Sequence, residues 1–126
     1  MAQAEGGAAV IEVAGFVLLG PDEPAPNSGI PIRLLPMDHR FVYGFGWQPS
    51  TRLCLEAMRA LDLRGKTLLD LGCGTGIIGI AASLMGVSVT FCDLDPIARE
   101  YTEANCSLNG VKAKVAPTWE TADVTV

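Results

Sequence analysis

Residues 68–82, LLDLGCGTGIIGIAA, decide how this chain is read. A short apolar strand, Thr67 to Leu71, runs directly into Gly72, Gly74 and Gly76. An apolar stretch of helical length, Ile77 to Met85, follows, and Gly86 closes it. Glycine is needed where a chain turns sharply and a ligand approaches the backbone, because a Cβ has no room there. Two loop codes overlap in this stretch. Gly74, Gly76 and Gly79 satisfy G-x-G-x-x-G, the dinucleotide pattern. Asp70 with Gly72, Gly74 and Gly76 satisfies D-x-G-x-G-x-G.

The carboxylate at the strand end separates the two codes. A dinucleotide presents a doubly negative pyrophosphate to the helix N-terminus, and Asp70 at the mouth of the loop would repel it. S-adenosylmethionine carries an ammonium and a sulfonium and no phosphate, so a carboxylate suits it. The longer pattern therefore favours the sulfonium cofactor. A nicotinamide oxidoreductase ranks last among the readings.

Working outward, Val87 to Cys92 reads as a second strand that ends at Asp93, about 20 residues past the loop, where an acidic residue meets ribose hydroxyls. One ionised carboxylate can accept from both hydroxyls. Asp95-Pro96 starts the next helix, with Asp as N-cap and Pro at the first helical position. Ile97, Tyr101, Ala104 and Leu108 are its expected buried stripe, and Asn109-Gly110 its end. Val111 to Val115 and Ala122 to Val126 are a third and a fourth strand. Such alternation means right-handed βαβ units and a parallel sheet, an α/β Rossmann-like fold.

Upstream, YGFGWQPSTR (43–52) is a glycine- and aromatic-rich loop feeding a helix from about Pro49 to Leu61, with Leu53, Ala57, Met58 and Leu61 on one face. Before it, Ile11, Val13, Phe16 and Val17 form one apolar run, and Ile30, Ile32 and Leu34 alternate in another. The Pro/Gly/Asn loop GPDEPAPNSG (20–29) lies between them, which predicts a β-hairpin across that loop. The expected division is an N-terminal β extension over 1–45 and a partial cofactor-binding domain over 46–126.

Composition narrows the function classes. Half of the 126 residues are apolar, and no stretch approaches the ~20 uninterrupted apolar residues of a membrane span. No Lys or Arg precedes the apolar N-terminal run, unlike a secretory signal, so the expectation is a soluble, cytoplasmic protein without a membrane partner. The net charge is −5 and the nine basic residues are scattered, which argues against a polynucleotide partner. The four cysteines stand far apart with no C-x-x-C pair, so neither zinc nor a disulfide framework is expected. His39 has no Cys, Asp or Ser partner at catalytic spacing.

Over residues 43–126 the chain resembles the class I S-adenosylmethionine-dependent methyltransferases. Within that class FGWQPSTRLCLEAM is similar to the segment ahead of the glycine loop in ribosomal-protein methyltransferases. GWQPSTR, GKTLLDLGCGTGIIGIAASLMGVSVTFCDLDP and EANCSLNGV resemble equally the protein-lysine methyltransferases with a Trp-Pro loop. The first group usually has a histidine where this chain has Trp47-Gln48, and in the second Pro directly follows the Trp. The resemblance implies that Asp70, Gly72, Cys73, Gly74 and Gly76 line the methionine end of S-adenosyl-L-methionine. Asp93 would hold the ribose, Leu94 would lie beside the adenine, and Trp47 and Trp119 would pack against the cofactor.

It also implies direct methyl transfer to a protein, with a lysine side chain as the leading acceptor. The alternatives are a small-molecule or nucleic-acid methyltransferase, and a non-catalytic cofactor-binding fragment or subunit. No catalytic residue can be named. The class I fold has seven strands, and this sequence reaches only the fourth. The expectation is a C-terminally truncated product whose sheet is completed by a missing half or a partner chain.

Overall fold

The computed structural model describes residues 11–36, 44, 48–119 and 121–126. Among the described residues there are two sheets and three helices. Strands β1 (Ile11–Val13), β2 (Phe16–Leu19) and β3 (Ile30–Arg33) form the first sheet in the order β1-β2-β3. Helix α1 (Pro49–Arg59) then leads to β4 (Thr67–Leu71), α2 (Ile77–Leu84), β5 (Ser88–Cys92), α3 (Pro96–Leu108), β6 (Val115–Ala116) and β7 (Val124–Thr125). The second sheet is parallel throughout, in the order β6-β5-β4-β7. Its strand order reverses at β4, which puts a topological switch point beside the glycine loop.

The N-terminal hairpin forms, but within the first apolar run rather than across the Pro/Gly loop. Ala14 and Gly15, both at positive φ (52° and 83°), make the tight turn between β1 and β2, which pair antiparallel. Two successive positive φ values match the twist of a two-residue hairpin. Strands β2 and β3 pair parallel, with Phe16 opposite Ile30. The loop over 20–29 therefore returns the chain to the start of β2 instead of reversing it. Arg33 folds that loop back, its guanidinium donating to the carbonyls of Gly20, Pro21 and Glu23 at 3.1, 3.3 and 2.5 Å.

One continuous apolar core joins the two sheets, with Phe16 and Ile32 from the first meeting Leu55, Leu68, Ile80 and Phe91. Helix α1 reaches it by an unexpected face. Of the expected face only Met58 is buried, joined by Thr51 and Leu55, whereas Leu53 and Leu61 are 66% and 55% exposed and Ala57 is exposed. Residues 51, 55 and 58 also repeat at helical spacing, on nearly the opposite side from 53, 57 and 61. Periodicity offers both stripes, and packing against α2 and β1 selects the first.

Helix α3 shows a similar shift. Tyr101 is buried as expected, but Ile97, Ala104 and Leu108 are only half-buried, and the packed face is completed by Ala98, Thr102, Asn105 and Cys106. The helix begins at Pro96, with the Asp95 carboxylate accepting the Ile97 N–H at 2.9 Å.

Candidate functional site

The loop between β4 and α2 is shaped by its glycines. Gly72, Gly74 and Gly76 sit at φ of 72°, 58° and 86°, a region where a Cβ crowds the following carbonyl. The amides of Gly72 and Cys73 both donate to the Cys92 carbonyl at the end of β5, at 2.8 and 3.0 Å. The carbonyls of the loop turn inward, toward α3. Thr102 Oγ1 donates to the Gly74 carbonyl at 3.0 Å, and Asn105 Nδ2 donates to the Thr75 carbonyl at 2.8 Å. Both side chains are wholly buried, so each satisfies an acceptor that water cannot reach.

Asp70, the penultimate residue of β4, is 2% exposed. Its Oδ2 accepts the Gly79 N–H at 3.0 Å, in the first turn of α2, where four amides lack an intrahelical partner. The N-cap residue, Gly76, has no side chain to offer, so the Asp70 carboxylate from the neighbouring strand and, at 3.4 Å from the Ile77 N–H, the Thr75 hydroxyl meet amides of the first turn. Burial pushes the Asp70 carboxyl up to about 7; the Gly79 amide opposes the shift and the charge on Asp93 adds to it. Burial likewise pushes the Cys73 thiol up to about 12, against the pull of Thr102.

Asp93 lies just past β5 and is half-buried. One carboxylate oxygen accepts the Gly74 N–H at 3.1 Å and the other the Asp95 N–H at 2.9 Å. Its own carbonyl accepts from Arg99 at 2.6 Å. Asp93 is thus joined to the glycine loop before any ligand enters, while each oxygen keeps a further lone pair.

A cavity of about 120 Å³ opens at the carboxyl end of β4, bounded by Asp70, Gly72, Cys73, Thr51, Cys54 and Ile77 among others. Asp70 is the one charged side chain among its described lining residues. Leu94, 81% exposed, stands outside it beyond Asp93. The structure therefore brings together Asp70, Gly72 and Cys73 around one cavity and links Asp93 to them through Gly74. Gly76 packs against Thr102, where an added Cβ would lie 3.1 Å from the threonine side chain.

Trp119 is not among the residues of this cavity. It is 55% exposed and lines a larger concavity, about 440 Å³, across the sheet face that carries Thr67, Leu69, Ser88 and Thr90. These alternate with Leu68, Asp70, Val89 and Phe91 along β4 and β5, so the concavity lies on the face turned away from α2. Open α/β sheets bind ligands outside the carboxyl ends of their strands, which favours the smaller cavity as the site. Trp47 and His39 lie outside the described residues. Among the described residues no helix is long and apolar enough to cross a membrane.

Sequence reasoning missed Thr75, Thr102 and Asn105, which set the loop's shape. A signal was available: Thr102, Asn105 and Asn109 recur at i, i+3 and i+7 along α3, a polar stripe next to the buried Tyr101.

Comparison with known proteins gives the family and the fold. The family model described as ribosomal protein L11 methyltransferase (PrmA) matches residues 22–125. A ribosomal protein L11 methyltransferase of Photobacterium profundum is 40% identical over 113 residues, which cover 83% of this chain and 37% of that protein. One of Tolumonas auensis is 46% identical over 76 residues, covering 60% of this chain and 26% of that protein. Among solved structures, a ribosomal protein L11 methylase from Lactobacillus delbrueckii subsp. bulgaricus superposes with a TM-score of 0.73 at 26% identity, over 86% of this chain and 57% of that one. The chain spans well under half the length of these curated relatives.

Proposed function

Because the chain belongs to the ribosomal protein L11 methyltransferase family, we propose that it forms the S-adenosylmethionine-binding part of a methyltransferase acting on a protein, with a lysine side chain as methyl acceptor. The observation that carries the reading is the cavity at the end of β4, whose charged wall is the Asp70 carboxylate and whose rim is the backbone of Gly72 and Cys73. An anionic, glycine-walled cavity suits an ammonium or sulfonium group and disfavours a pyrophosphate.

In this reading Asp70, Gly72 and Cys73 hold the amino-acid end of the cofactor, and Asp93 accepts from the ribose hydroxyls. Leu94 offers an apolar surface to the adenine. When bound, S-adenosylmethionine supplies an electrophilic methyl group on a sulfonium sulfur. The chain's own residues bind it, orient it and exclude water from it, which is the protein's main share in such a transfer. Trp47 packs against the cofactor in this reading, whereas Trp119, which lines the concavity on the other sheet face, takes no part in it. A ribosomal-protein substrate fits the relatives' names, and the reading takes the cytoplasm as the location.

Calorimetric titration tests the reading. S-adenosylmethionine is expected to bind saturably, and NAD is expected not to bind. Asp93→Asn removes one acceptor oxygen and is expected to weaken binding by roughly tenfold or more, the cost of one charge-assisted hydrogen bond. Binding of NAD in preference to the sulfonium ligand would overturn the assignment.

A further inference from the structure

Thr75 is the one residue with a side chain between Gly74 and Gly76, and that side chain points away from solvent, at 0% exposure. Its hydroxyl donates to the Gly44 carbonyl. Its carbonyl accepts from Asn105 Nδ2 at 2.8 Å, and Asn105 Oδ1 in turn accepts the Leu35 N–H at 2.8 Å. Gly44 and Leu35 are described residues on either side of the stretch that leads from β3 toward α1. Both are therefore fastened to the same loop residue, one directly and one through a buried asparagine. Tyr101, one helical turn before Asn105, adds a third tie, its hydroxyl donating to the Pro36 carbonyl at 3.3 Å.

Gly44 fits this contact closely. Its φ is 105°, and a Cβ on it would fall 2.9 Å from Thr75 Oγ1. The approach thus requires glycine on one side and a hydroxyl on the other. Gly44 also lines the cavity that holds the Asp70 carboxylate, so the residue tied to Thr75 forms part of its wall.

We propose that Thr75 and Asn105 are positioning residues that fix the glycine loop against Leu35 and Gly44, so that occupancy of the cavity is felt at those two residues. The inference rests on the cofactor assignment above. Neither residue need touch the ligand. A hydroxyl and an amide, each wholly buried, hold the loop backbone in the shape that Gly74 and Gly76 permit, and the same bonds anchor Gly44 and Leu35.

Three variants separate positioning from simple stability. Thr75→Val keeps the shape and removes the hydroxyl; Asn105→Asp keeps the acceptor for Leu35 and loses the donor to Thr75. Each is expected to weaken S-adenosylmethionine binding roughly tenfold, while Thr75→Ser, which retains the hydroxyl, stays within about twofold of wild type. Hydrogen exchange supplies the second readout: S-adenosylmethionine slows exchange of the Leu35 amide in the wild-type chain, and this slowing is lost in Thr75→Val. Unchanged affinity and unchanged ligand-induced protection in Thr75→Val, with only its melting temperature lowered, would overturn the proposal and leave the cofactor assignment standing. Absence of saturable binding by the folded wild-type chain would overturn the assignment, and the proposal with it.

Discussion

Gly79 lies flat against the ring of Phe91: a Cβ built on the glycine would come within 2.2 Å of the ring atom Cε2. This contact brings α2 onto β5 and explains why the third glycine of G-x-G-x-x-G is present in a site read by the other code. Its role is helix-to-sheet packing rather than ligand approach. Gly79→Ala is expected to destabilise the chain by about 1–2 kcal/mol, since overpacking outweighs the ~1 kcal/mol gain in helix propensity. Adding Phe91→Leu should recover part of the loss. Urea unfolding of the two variants measures both effects; an unshifted midpoint in Gly79→Ala would mean that the contact is loose.

Asp70 makes stability depend on pH. Its folded pKa, about 7, lies above the ordinary carboxylate value of 3.8, so the folded state holds the proton more tightly. The contribution is fully present below the ordinary value and is lost as pH rises through about 7, at most ~4 kcal/mol. The chain should therefore melt lower at pH 8 than at pH 5 on account of this group, and Asp70→Asn should flatten that dependence. A cationic ligand beside Asp70 favours the ionised form, so S-adenosylmethionine binding near pH 6.5 is expected to release a proton. Calorimetry in buffers of different ionisation enthalpy detects it, and no buffer dependence would argue against contact between the cation and Asp70.

Asn109 fastens α3 to the first sheet. Its Oδ1 accepts the Arg33 N–H at 2.7 Å, and its Nδ2 donates to the carbonyls of Arg33 and Asn105, each at 2.7 Å. Asn109→Ala leaves both backbone groups of Arg33 without this partner and is expected to cost about 1–3 kcal/mol. Asn109→Asp keeps the acceptor and should fall between the two. Faster exchange of the Arg33 amide would tie the loss to this bond.

The two faces of α1 make opposite predictions. Leu55, at 0% exposure, is expected to cost about 2–5 kcal/mol when replaced by Ala. Leu53→Lys, at a position 66% exposed, should change stability by no more than about 0.5 kcal/mol. Equal losses at the two positions would restore the stripe that the sequence suggested.

Much of the architecture is legible because it follows from local rules. The β4–glycine loop–α2 unit, the start of α3 at Asp95-Pro96 and the placing of Asp70 and Asp93 at strand ends depend on neighbours within a few residues. Backbone sterics and capping chemistry act over that range, so residue type and spacing are enough. Tertiary structure alone decided the rest. The parallel pairing of β2 with β3 depends on how the 20–29 loop is held by Arg33, and the buried face of α1 depends on which of two apolar stripes meets α2. Thr75 and Asn105 acquire their roles from partners 31, 30 and 70 residues away. A polar residue's pattern in sequence does not say which distant carbonyl will be buried beside it; that is fixed only when the packed elements shut water out and each buried acceptor must find a donor.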